Sequence, residues 1–237
     1  MLKDAQGSLA GVVAVDVETG VGYELRAKAV INATGVFVDD VRQMDEPGSA
    51  PVVRPSQGIH IVLDKAFLPG NNAFVVPKTT DGRVLFAVPW HNRVVLGTTD
   101  TLVTQSSPEP QALEEELDFI FDTAAKYLVL APKREDVLSV FAGLRPLAVS
   151  SERGKATKDI SRRHQILVSA TGLITITGGK WITYRRMVED VVDRAIALGK
   201  LPAFESRTAH LAIHGAQLIT DASNHLYVYG SYPTALQ

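Results

Sequence analysis

Ala29-Val30-Ile31-Asn32-Ala33-Thr34-Gly35 is the segment that most narrows the folds open to this chain. It is apolar and β-branched, and it stops at small residues and a glycine. That is the pattern of a strand buried on both faces, as in a parallel sheet. Parallel strands need long crossover connections. Yet what precedes Ala29 is no strand-helix-strand unit. Val12, Val13, Val15 and Val17 form an apolar run, and Glu18-Thr19-Gly20-Val21-Gly22 turns the chain. Tyr23, Leu25 and Ala27 then alternate with polar residues, as a half-buried strand does. A sheet with helices on both faces would need more chain upstream of Ala29 than these residues supply.

Downstream, residues 51–104 are rich in strands: Gly58 to Leu63, Ala73 to Pro77, Val84 to Pro89 and Val94 to Thr99. Turn signals separate them at Pro69-Gly70-Asn71-Asn72, Asp81-Gly82 and His91-Asn92. Asp81-Gly82 between two β-rich runs is the best local hairpin signal. The segment reads as an antiparallel sheet. Residues 108–128 read as a helix, with Pro108 in its first turn and Glu109, Glu114, Glu115 and Glu116 in its N-terminal half. That acidic face is expected to be solvated. Two more strand-like stretches, 137–149 and 165–177, lead to Gly178-Gly179-Lys180. A second helix follows, with an apolar stripe of Trp181, Tyr184, Met187, Val188, Val191, Val192, Ala195 and Leu198, ended by Gly199 and Pro202. The pattern fades beyond about residue 203, and Tyr227, Tyr229, Tyr232 and Leu236 show no clear period.

Composition removes several classes of function. Lys+Arg 24 against Asp+Glu 26 gives a net charge of −2, unlike the basic surface of a generic nucleic-acid binder. With no Cys, there are no disulfides, thiol nucleophiles, Cys-ligated zinc or iron–sulfur clusters. No apolar run approaches the roughly 18 residues that span a bilayer, and the first residues lack the apolar core of a signal peptide. A soluble, cytoplasmic protein is the expectation.

Gly178-Gly179-Lys180 is the strongest chemical signal. A strand-to-helix junction offers free N–H groups and a positive dipole end, and two glycines admit a ligand close to the backbone. The competing reading is a tight turn with a solvated lysine. Arg145, held in Gly143-Leu144-Arg145-Pro146, can fork onto a carboxylate or phosphate, or be a surface arginine in a turn. Arg162 and Arg163 form a second candidate anion clamp with the same alternative. His60, between Ile59 and Ile61, is either a satisfied core or edge histidine or a general base. Gly97-Thr98-Thr99-Asp100-Thr101 is a turn stabilised by its own side chains, the favoured reading, or it lines a cavity. His210 and His214 sit in a strand-like context, which argues against a metal site. Gly20-Val21-Gly22 opens no helix and is no dinucleotide fingerprint. Asn32-Ala33-Thr34 matches a glycosylation sequon but ends a core-like strand.

Together these segments resemble one family. Ala29 to Gly35 is similar to the second flavin-binding signature of two-dinucleotide-binding flavoproteins. Ser56-Gln57-Gly58-Ile59-His60-Ile61-Val62 resembles a segment of FAD-dependent glycerol-3-phosphate dehydrogenases. So do Asp81-Gly82-Arg83 through Pro89-Trp90 to Gly97-Thr98-Thr99-Asp100, then Gly143 to Leu147, and Gly178-Gly179-Lys180-Trp181-Ile182-Thr183-Tyr184-Arg185. Order and spacing fit over about residues 10–200.

The resemblance implies oxidation of glycerol 3-phosphate to dihydroxyacetone phosphate, with hydride passing to FAD and electrons to quinone or oxygen. It implies His60 as the proton acceptor at the reacting hydroxyl and Arg145 as a catalytic group on substrate. Arg162 and Lys180 would clamp the phosphate. Ala33, Thr34 and Gly35 would lie along the dinucleotide, with Gly178, Gly179 and Lys180 near the flavin ring. Gln57 stands where the family usually has Lys, which would remove a positive charge near the site. Val36-Phe37 replaces the usual Gly-Pro-Trp. The family's strand–G-x-G-x-x-G–helix is absent from these residues, so the chain is expected to be a fragment that does not hold flavin or turn over by itself.

The implied fold is mixed α+β and α/β, an antiparallel substrate sheet with flanking helices plus part of a two-dinucleotide-binding FAD domain. Residues 1–50 and 151–200 would belong to the FAD domain, 51–150 to the substrate domain, and 201–237 to the start of a C-terminal cap. Quinone-reducing relatives sit peripherally on the inner membrane. The alternatives are an amino-acid or amine oxidase of the same superfamily, with Arg145 on a carboxylate, or a non-catalytic anion-binding module.

Overall fold

The computed structural model describes residues 1–79, 82–149 and 164–216. Residues 1–201 form one compact unit and the remainder a second. Three sheets make up the first unit among the described residues. The first is an antiparallel meander of β1 (Leu2–Lys3), β2 (Leu9–Val15) and β3 (Gly22–Arg26). The half-buried pattern expected for β3 is not what forms. Every residue of it is exposed, because no other layer of the described residues packs against that sheet edge.

Ala29 to Gly35 does enter a parallel pairing. β4 (Val30–Asn32) lies beside β12 (Leu173–Gly178) in register Val30–Leu173 to Asn32–Thr175, and β11 (His164–Val168) pairs antiparallel on the far side. Burial on both faces holds for Asn32 and much less for Ile31, which is 37% exposed. α1 (Val38–Asp45) follows β4 through a 3-10 turn at Gly35–Phe37. Its last residue, buried Asp45, accepts hydrogen bonds from Ser169 Oγ (2.7 Å) and Thr171 Oγ1 (2.6 Å) in the β11–β12 turn. Lys3 approaches the same carboxylate at 3.7 Å, so one buried acid ties the meander, α1 and the parallel pair together.

The central sheet is the antiparallel one read over 51–104, extended by the strand read over 137–149. Its order is β10 (Ser139–Ala148), β5 (Val53–Asp64), β8 (Arg93–Gly97), β7 (Leu85–Trp90) and β6 (Phe74–Val76), with short β9 (Thr101–Leu102) also on β5. His91 and Asn92 turn β7 into β8 with φ of 45° and 57°, as a tight two-residue hairpin requires. At the β6–β7 connection Thr79 and Gly82 close the turn (Thr79 N to Arg83 O, 2.8 Å), while Asp81 lies outside the described residues.

β5 shows the period of two that organises the site. Ile59, Ile61 and Leu63 are fully buried and face α2 (Glu114–Tyr127), meeting Ile120 and Ala124 in the main core. Ser56, Gly58, His60 and Val62 face the other way. α2 starts at Glu114 and not near Pro108, because Glu116 reaches back to cap the Leu113 N–H (3.1 Å). The solvated acidic face holds for Glu114 and Glu115 but not for Glu116, which is 1% exposed.

α3 (Tyr184–Gly199) follows a 3-10 turn at Trp181–Thr183 and ends on Lys200 in the left-handed region. Of its expected stripe only Val191 and Ala195 are buried, with Met187 partly so, against Ile174 and Ile176. Trp181, Tyr184, Val188, Val192 and Leu198 are exposed. A three-stranded sheet is narrow and covers one strip of the helix. In the second unit residues 202–216 form no helix or strand, and the expected cap segment from 217 on lies outside the described residues.

Candidate active site

His60 and Arg145 come from adjacent strands and share the sheet face away from α2. The register pairs His60 with Phe141 and with Gly97, and Arg145 with Ser56. The imidazole stacks on Phe141 at 5.0 Å between ring centres. Its other neighbour is bare backbone, and a Cβ placed on Gly97 would lie 2.5 Å from His60 Cδ2. Gly97 is therefore a close-approach glycine. Gly58 serves Arg145 in the same way, since a Cβ there would lie 2.6 Å from the guanidinium Cζ.

Arg145 donates from Nη2 to Thr98 Oγ1 at 2.9 Å, and its Nη1 lies 3.8 Å from Asp100 Oδ1. Ser56 donates its hydroxyl to the same Asp100 oxygen. Thr98 and Asp100 thus face Arg145, while Thr99 between them is buried behind the sheet. Burial is the main reason the His60 pKa falls below its ordinary 6.5, and the positive charge of Arg145 lowers it further. His60 is therefore neutral at physiological pH and free to accept a proton. Arg145 is oriented on a carboxylate and a hydroxyl, with its side chain 38% exposed toward incoming anions.

The second group of predicted residues gathers at the carboxyl ends of the two parallel strands, where α/β sheets bind ligands. Past β4, Thr34 donates its hydroxyl to Asn32 Oδ1 (2.8 Å), and buried Asn32 donates to the Val38 carbonyl (2.9 Å). Gly35 turns the chain at φ 63°. Past β12, Gly178 and Gly179 hold φ of 75° and 82°, and a Cβ added to Gly179 would meet Met187 Sδ at 2.5 Å. Lys180 follows, exposed, at the start of the turn leading into α3. The Gly35–Phe37 turn packs on both β5 and β10, which joins this corner to the sheet bearing His60 and Arg145. Arg162 lies outside the described residues.

Gln57 corrects one expectation. The side chain points away from His60, into the core side of the sheet, where Nε2 donates to Glu116 Oε2 (2.7 Å) and to the Gln111 carbonyl (2.8 Å). A lysine replaced by glutamine at this position removes charge from behind the sheet, not from the site. The groups that sequence reasoning missed are Asp100 and Glu116 as partners, and Gly58 and Gly97 as close-approach positions. A signal for Glu116 did exist, because it falls four residues before Ile120 on the buried face of α2.

Residues 3–185 match the family model for FAD dependent oxidoreductases. The chain belongs to that family. Over 222 residues it is 42% identical to a mitochondrial glycerol-3-phosphate dehydrogenase of Macaca fascicularis, covering 93% of this chain and 30% of that protein. A mitochondrial glycerol-3-phosphate dehydrogenase of Arabidopsis thaliana is 46% identical over 200 residues, covering 84% and 31%. The X-ray structure of the glycerol-3-phosphate dehydrogenase from Bacillus halodurans complexed with FAD superposes with a TM-score of 0.72 at 33% identity, over 85% of this chain and 38% of that one. The chain thus spans about 30% of the length of the curated relatives it matches. The oxidoreductase fold and the FAD-dependent family expected from the motifs are those observed. The cytoplasmic expectation is overturned, since the animal and plant relatives are named as mitochondrial. Among the described residues no helix is long and apolar enough to cross a membrane.

Proposed function

We propose that this chain forms the substrate side, and the later flavin-contacting strands, of an enzyme that oxidises glycerol 3-phosphate to dihydroxyacetone phosphate. The observation that carries this reading is His60 and an oriented Arg145 on one sheet face, each seated over a glycine. It is supported by 42% identity to glycerol-3-phosphate dehydrogenases over nearly the whole chain.

In this reading a ring nitrogen of His60 takes the proton of the substrate's secondary hydroxyl as the alcohol becomes a carbonyl. Phe141 and Gly97 hold the imidazole in one plane, which orients that nitrogen. Arg145 binds the substrate and stabilises negative charge building on its oxygen, while Asp100 and Thr98 keep the guanidinium fixed. Lys180 supplies positive charge for the phosphate.

FAD, when bound, accepts the hydride. The residues present fit it. Ala33, Thr34 and Gly35 would hold its dinucleotide, and Gly178 and Gly179 would present their backbone to its ring, with Lys180 adding positive charge there. Thr177, 2% exposed and directly before Gly178, has a buried hydroxyl with no hydrogen-bond partner among the described residues, which suits a ligand contact there. Residues 1–50 and 164–200 form the flavin part in this assignment, and 51–149 the substrate part.

The test is calorimetric titration of the 237-residue chain with glycerol 3-phosphate and, separately, with glycine. The expected result is binding of the phosphate ester that Arg145→Ala abolishes and His60→Gln weakens only modestly. Binding that favours glycine, or that survives Arg145→Ala unchanged, overturns the assignment.

A further inference from the structure

Glu116 is a buried carboxylate that the reaction above does not use. It lies on the face of the central sheet opposite His60 and Arg145. Its hydrogen bonds reach three parts of the fold. Oε1 accepts from Thr99 Oγ1 (2.7 Å), and Oε2 accepts from Gln57 Nε2 (2.7 Å) and from the Leu113 N–H (3.1 Å). Thr99, itself fully buried, accepts the Ile59 N–H at 3.0 Å. So helix α2, strand β5 and the 98–100 segment all converge on one side chain.

The 98–100 segment alternates between two faces. Thr99 points back to Glu116, while Thr98 and Asp100 point forward to Arg145. Pulling Thr99 toward α2 fixes the peptide units on either side of it, and these set where the Arg145 guanidinium rests over Gly58. The Ile59 N–H held by Thr99 lies between Gly58 and His60 on β5, so the same anchor sets both members of the site.

We propose that Glu116 is a positioning residue. Acting through Thr99 from behind the sheet, it holds Thr98 and Asp100 where they orient Arg145 beside His60. The role in catalysis rests on the function proposed above, whereas the positioning itself does not need a substrate to be seen. A residue that only fills the core would be replaceable by another buried group. Glu116 differs because glutamine, equal in size, keeps one carbonyl only: it either presents an N–H₂ to the donors of Gln57 and Leu113, or turns and removes the acceptor of the Thr99 hydroxyl.

The experiment follows the His60 ring resonances of the full chain through a pH titration by NMR, with the Arg145 side-chain signal read alongside. Variants are Glu116→Gln, Thr99→Val and Thr99→Ser, with Ile120→Val as a control that loosens the same helix four residues on. Glycerol 3-phosphate affinity is measured on each. Glu116→Gln and Thr99→Val are expected to shift the Arg145 signal, to raise the His60 midpoint toward its ordinary value, and to weaken binding about tenfold. Thr99→Ser keeps the hydroxyl and should behave as wild type, and Ile120→Val should leave both signals in place. If Glu116→Gln fails to fold, Thr99→Val alone decides. The proposal falls if Thr99→Val leaves Arg145 and His60 unmoved, or if Ile120→Val moves them as far. If the spectra change as expected while wild type binds no glycerol 3-phosphate, the positioning role stands and the substrate assignment falls.

Discussion

Replacing Gly58 by alanine separates the binding role of Arg145 from its part in stability. A Cβ on Gly58 would sit 2.6 Å from both Cζ and Nη1 of Arg145. Carbon contacts that short are repulsive, so one group must move. The strand cannot, because its core face is filled by Ile59 and Ile61 at zero exposure. The guanidinium is the far end of a flexible side chain and will swing out. That breaks the 2.9 Å bond to Thr98 and the 3.8 Å approach to Asp100.

A hydrogen bond to a charged group contributes about 1.5–3 kcal/mol when well enclosed. Arg145 is over a third exposed, so water recovers part of that, and the stability loss should be about 1 kcal/mol. Losing one charge-assisted bond to the ligand weakens binding further, by about ten- to a hundredfold. The assays are urea unfolding for stability and calorimetry for glycerol 3-phosphate affinity. The expected signature is a small stability loss with a large affinity loss. Equal affinity for wild type and Gly58→Ala would refute the placement of Arg145 over Gly58 as the binding geometry.

Gly97→Ala should act in the opposite proportion. Its new Cβ meets the Ile59 carbonyl at 2.8 Å as well as the His60 ring, and backbone cannot swing away, so overpacking should cost about 1–3 kcal/mol in urea unfolding. The pH dependence of stability should carry a contribution from His60. Its folded-state pKa is below its ordinary 6.5, so the unfolded chain binds the proton more readily. Stability from this group is therefore full above about 6.5 and is lost as pH falls from there through the folded-state value. His60→Gln should remove that slope, and an unchanged slope would assign it to another group. Thr177→Val should leave unfolding free energy unchanged or raise it, since a buried hydroxyl without a partner costs stability. A clear loss would mean that this hydroxyl is bonded within the chain.

The sequence determined the elements and their local chemistry. β-rich runs bounded by turn signals marked β5, β7, β8 and β10. The His91-Asn92 turn was legible because positive φ demands such residues. Gly178-Gly179 was legible because two successive left-handed residues between a strand and a helix strongly favour glycine. Tertiary structure decided which face each residue serves. Gln57 and His60 are three apart on one strand, an odd spacing that sends them to opposite sides. Which side is the site depends on where α2 lands. Glu116 sits in an acidic run that reads as solvated, and it is buried where Gln57 and Thr99, from other elements, join the nearby Leu113 N–H on its carboxylate. The exposure of β3 and of most of the α3 stripe was also settled by what lies alongside. Amphipathic pattern states which face can be buried, and only packing states whether a partner arrives to bury it.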